Sequence, residues 1–120
     1  MAEHQWARLR ADLDCDLRRG AWYRIIEMAR LEVTVDVRGQ PVSVPRPFVE
    51  ILAAPPRRWT VVPRPDNALR LPAHWGPYYG VCPSCGDRAP LLGRPASMRC
   101  QRCNGVFAVA WSETYLPTEL

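Results

Sequence analysis

Two Cys-x-x-C pairs, Cys82-Pro-Ser-Cys85-Gly and Cys100-Gln-Arg-Cys103-Asn-Gly, stand with fourteen residues between them. In each pair the first thiolate ligates, the chain turns so that backbone amides point at the sulfurs, and the second thiolate ligates in turn. Such a turn favours a residue tolerant of positive φ directly after the second cysteine, and Gly86 and Asn104 meet that demand. Two turns supply four sulfurs, a closed tetrahedral shell with no open position for a substrate, and that donor set suits Zn²⁺. An iron site of the same geometry and a redox Cys-x-x-C pair are the chemical alternatives. A redox pair needs a helix N-terminus to lower its thiol pKa, and Pro83-Ser84-Cys85-Gly86-Asp87 offers none. The expected metal ligands are therefore Cys82, Cys85, Cys100 and Cys103, with Cys15, His4 and His74 as bystanders.

Between and after the pairs, residues 97–100 read as a strand returning to pair with residues 106–111. The segment 80–112 carries Cys-Pro-Ser-Cys-Gly, then Met98-Arg99-Cys100-Gln101-Arg102-Cys103 followed by Phe107 and Val109. It resembles the zinc-ribbon superfamily, which recurs in transcription factors, RNA polymerase subunits, ribosomal proteins and adaptors. The resemblance implies a structural zinc site and is nearly silent on function. No single family is recognised over the full chain.

Upstream, the apolar period changes twice. Trp6, Leu9, Leu13 and Leu17 recur at spacings of three and four with charged residues between them, which predicts an amphipathic helix over 1–19 ended by Gly20. From residue 20 the pattern is that of strands. Residues 21–28 are aromatic and β-branched, and Val33, Val35 and Val37 alternate with Glu32, Thr34 and Asp36. Arg38-Gly39-Gln40 marks a tight turn, and Val42 and Val44 resume the alternation. Residues 48–52 suggest one turn of helix, and 59–62 a further strand. This order resembles a small SH3-like barrel over 20–63, with Trp22, Ile25, Val35, Val44 and Trp59 sharing its core. A plain antiparallel meander packed on the N-terminal helix is the alternative. Prolines 63, 65, 72 and 77 predict a semi-rigid linker over 64–80, although Trp75, Tyr78 and Tyr79 are too aromatic for a free one. The ribbon then occupies 81–112, and 113–120 form a tail. The expected fold class is mainly β with an N-terminal α-helix: an SH3-like small barrel followed by a four-cysteine zinc ribbon.

Composition narrows the function. The chain has 120 residues, enough for one compact domain or two very small ones. No apolar run approaches the roughly 20 residues that span a bilayer, and no secretory signal is visible, so a cytoplasmic location is expected. All sixteen basic residues are arginine, and thirteen prolines accompany them, a pattern that a GC-rich genome also produces. The formal charge of +4 falls to about +2 when four thiolates hold one Zn²⁺. No phosphate-binding glycine loop, nucleophile elbow or paired-histidine metal motif is present, and no enzymatic activity or small-molecule substrate is expected.

Two binding functions remain. Arg88, Arg94, Arg99 and Arg102 fall in the ribbon, where Asp87 is the one acidic residue between Val81 and Ser112. That basic segment points to nucleic acid, RNA or DNA, or to a nucleoprotein machine such as a transcription or ribosome assembly. The other reading is a protein-interaction or structural subunit of a larger complex, anchored by Trp75, Tyr78 and Tyr79.

Overall fold

Ala7 and Leu9 alternate with Trp6 and Arg8, and that period of two makes the N-terminal segment a strand, β1 (Trp6–Leu9), in place of the expected helix. The computed structural model describes residues 4–10, 15–64, 71–113 and 115. It contains two units, the first reaching Pro56 and the second beginning at Arg57.

In the first unit β1 is followed by β2 (Tyr23–Met28), β3 (Glu32–Val37), β4 (Gln40–Pro45), a single 3-10 turn at Arg46–Phe48, and β5 (Val49–Leu52). They form one antiparallel sheet in the order β4-β3-β2-β1-β5, which fits a small barrel. The reason for a strand at the N-terminus lies in its neighbours. With β2 on one side and β5 on the other, β1 satisfies its backbone along both edges and turns Ala7 and Leu9 into the core. A helix would bury Leu9 and Leu17 yet leave β2 and β5 unjoined. Leu17 reaches the same core from the loop after β1, while Leu13 lies outside the described residues.

Arg8 points to the opposite face and is nearly buried, yet fully accommodated. It sits directly across from Glu50 in the β1–β5 register, its Nε donates to the Glu50 carboxylate, and its guanidinium lies 4.4 Å over the Trp22 ring. Trp22 is thus used on Arg8, while Ile25, Val35 and Val44 share the core as expected. The β3–β4 turn needs positive φ at both central residues, and Arg38 (φ 53°) and Gly39 (φ 84°) adopt it, with the Gly39 N–H donating to Asp36 Oδ1 at 2.7 Å. The helical turn expected at 48–52 is shorter and earlier, and β5 occupies those positions instead.

The second unit opens with β6 (Arg58–Pro63), the strand expected to close the barrel. It belongs instead to the cysteine-bearing sheet, with β7 (Tyr78–Val81), β8 (Arg88–Pro90), β9 (Ser97–Arg99) and β10 (Val106–Val109) in the order β8-β7-β6-β10-β9. β6 runs antiparallel to β7 and parallel to β10. Its run Trp59-Thr60-Val61-Val62 shows no alternation because both faces are buried, as a central strand requires. Trp59 and Val61 face Cys82, Leu91, Cys100 and Val109. Close packing there fixes a glycine: a Cβ on Gly80 would stand 3.0 Å from Leu91 Cδ2 and 3.1 Å from Trp59 Cε3.

The expected linker is partly structured. Residues 65–70 lie outside the described ones, but Arg64 gathers the chain beyond them. Its guanidinium donates to the carbonyls of Gly76 (2.8 Å), Leu71 (3.4 Å) and Pro72, before the chain enters β7. Of the expected tail, only Glu113 and Tyr115 are described.

Trp59 is fully buried, so Trp59→Ala should remove about 3–5 kcal/mol from the second unit. The first unit should keep its own unfolding transition. Paired chemical-denaturation curves, read by tryptophan emission and by far-UV dichroism, check this; a shared loss in both transitions would contradict the separation of cores.

Candidate metal centre

The β7–β8 and β9–β10 connections are built alike. After β7 the Cys82 N–H donates to Asp87 O (2.8 Å) and the Gly86 N–H returns to Cys82 O (3.0 Å). After β9 the Cys100 N–H donates to Gly105 O (2.8 Å) and the Asn104 N–H returns to Cys100 O (2.8 Å). Each turn needs one residue at positive φ, and Gly86 (75°) and Asn104 (64°) stand at the two matching positions. Because β7 and β10 flank β6 on opposite sides, both turns come to the end of the sheet where β6 begins.

There the four sulfurs converge. All lie within 4.8 Å of one another, with Cys82 Sγ 3.7 Å from Cys103 Sγ and Cys85 Sγ 3.6 Å from Cys100 Sγ. A tetrahedron with metal–sulfur bonds of about 2.3 Å has edges of about 3.8 Å, so the spacing fits one metal ion and is consistent with zinc. It is the one such group among the described residues.

The thiols are unequal. Cys82 and Cys100 are buried and contribute to the core around Trp59, whereas Cys85 and Cys103 are exposed. Burial pushes the Cys82 thiol well above its ordinary range, and burial is also the main cause that raises Cys85. The Gly105 backbone N–H is the main cause that lowers Cys103. A divalent cation would replace protons on the buried sulfurs and offset the cost of placing them there. Cys15 packs half-buried against the other core, and His4 and His74 are exposed.

Trp59, expected in the barrel core, stands beside the cysteines instead. It packs in the same core as Cys82 and Cys100, and its indole N–H donates to Met98 O at 3.0 Å, tying β6 to the strand that carries the second turn. The run Trp59-Thr60-Val61-Val62, without polar alternation, was the available signal.

The four arginines do not form one patch. Arg94, Arg99 and Arg102 follow one another through the turn before β9, β9 itself and the second cysteine turn, and all three are exposed. Arg88 lies on β8, at the opposite edge of the sheet, and is half-buried. Of the aromatic anchors, Tyr78 is exposed, Trp75 is half-buried, and Tyr79 is buried.

Cys103→Ser and Cys82→Ser should each lower bound metal from one equivalent to near zero, since a serine hydroxyl is a poor substitute for thiolate. Elemental analysis after purification without chelator measures it. Comparison with protein-family models, with curated proteins and with solved structures finds no match to this chain.

Proposed function

We propose that the chain is a non-enzymatic, cytoplasmic accessory protein in which an SH3-like barrel is joined to a zinc ribbon that binds nucleic acid, within a transcription or ribosome-type assembly. The observation that carries the reading is the uncompensated positive charge of one edge. Arg94, Arg99 and Arg102 are exposed in succession, and no ion pair involves them among the described residues. The nearby Arg58, by contrast, reaches Glu113 at 3.3 Å. Exposed arginines without a carboxylate partner keep their N–H groups for phosphate, which a planar guanidinium binds through paired hydrogen bonds. Zinc is the metal assigned to the four sulfurs, with a structural role: a closed thiolate shell holds the two turns together and offers no coordination position for chemistry.

A second reading, a subunit held by protein contacts, draws on three exposed apolar residues of the same unit, Tyr78, Leu92 and Val106. Salt separates the two. Affinity for mixed-sequence RNA and DNA should fall steeply between two salt concentrations. Replacing Arg94, Arg99 and Arg102 together by Gln should flatten that dependence by about one unit of slope per lost phosphate contact. Metal content and melting temperature should hold, because none of the three is a ligand. No detectable nucleic-acid binding at low salt would transfer the assignment to the protein-contact reading.

A further inference from the structure

Among the described residues, Arg8 and Arg94 each lie over a tryptophan ring, and they differ in what else they hold. Arg8 is nearly buried and bonded to Glu50. Arg94 is exposed, with its guanidinium carbon 4.3 Å from the centroid of the Trp111 ring and no carboxylate bound to it among the described residues. The first arrangement is a structural joint. The second sets its guanidinium carbon at a similar distance over a ring, on a side chain that is exposed.

The stack is held in place from both ends. The Trp111 indole N–H donates to Pro95 O at 2.8 Å, which fixes the ring against the turn that carries Arg94. Trp111 also packs on the core that contains Trp59 and the buried cysteines. On the other side, Arg94 itself takes φ 48°, next to Gly93 at 76° and immediately before Pro95. Gly93 and Arg94 thus supply two successive positive φ values, as Arg38 and Gly39 do in the β3–β4 turn, and the turn sets where the Arg94 side chain leaves the backbone. Leu92, in the same turn, is 60% exposed.

From this geometry we infer that the Arg94–Trp111 stack is a platform for an unpaired nucleobase, so that the partner is single-stranded nucleic acid. The inference rests on the nucleic-acid reading above and narrows it. An exposed guanidinium held over an indole ring offers a planar cation beside an aromatic surface, and a base stacks on such a group irrespective of its sequence. Arg99 and Arg102, further along the same segment and exposed, supply charge for neighbouring phosphates. In a duplex each base already stacks on its neighbours and its flat faces are closed to a protein side chain, so a platform of this kind favours single strands.

The test compares a single-stranded oligonucleotide of mixed sequence with the matching duplex, at low salt, on the metal-loaded full chain. The parent should bind the single strand on the order of ten-fold more tightly. Arg94→Lys keeps the charge and loses the plane, and should remove most of that preference while the salt dependence stays. Arg94→Gly suits the positive φ at this position, so its melting temperature should hold or rise while the preference is lost, which excludes misfolding as the cause. Equal affinity for single strand and duplex in the parent, or an unchanged preference in Arg94→Lys, overturns the stacking platform and leaves the electrostatic reading standing. No binding of either form by the parent overturns both.

Discussion

In the second unit, four sulfurs are brought within 4.8 Å of one another at the end of a five-stranded sheet, and two of those sulfurs belong to the apolar core. As bare thiolates they would repel one another, and the buried pair would stand in a medium that disfavours charge. As thiols they would leave the two turns joined by weak contacts alone. A divalent ion would resolve both difficulties, and the surrounding residues are arranged to suit one. The matched hydrogen bonds of the turns set the sulfurs, Gly86 and Asn104 allow the turns, and Trp59 fills the space beneath. A small sheet with short edge strands has little apolar area of its own, so a metal cross-link here would carry stability that a larger core supplies elsewhere.

The clustering of the four cysteines was legible because its signal is local: spacing within each pair and a turn-tolerant residue after it. The strand pattern from 23 to 45 was legible for a related reason, since Val33 and Val35 alternate cleanly with polar residues and Arg38-Gly39 marks the turn. The N-terminal helix failed because the same apolar residues support two periods. Trp6, Leu9 and Leu17 suit a spacing of three and four, yet Ala7 and Leu9 suit a spacing of two, and a small residue such as Ala7 carries little weight in a hydrophobic pattern. What decided between them was long-range pairing with β2 and β5, which local sequence does not encode.

The same limit explains the misplaced β6. Strand, turn and 3-10 segment followed in the expected order, but Val49–Leu52 rather than Trp59–Val62 completes the first sheet. A strand buried on one face and a strand buried on both differ in pattern, and the unbroken run at 59–62 belongs to the second kind. The arginines were visible as residues, but their division between opposite edges of the sheet required the topology.

The parallel pairing of β6 with β10 joins Arg58 to Ala108 and Trp59 to Val109, residues about 50 apart in the chain. During synthesis, at roughly 5–20 residues per second, Trp59–Val62 emerges seconds before the strand that will cover its open side. For that interval it is a short, uncharged, β-prone segment, the type that pairs with other chains. Arg57 and Arg58 precede it and Pro63 ends it. Charge at one end and a residue without an N–H donor at the other are the features that discourage such mispairing. Flanking residues that contribute little to the finished core thus guard the nascent strand until β10 pairs along it.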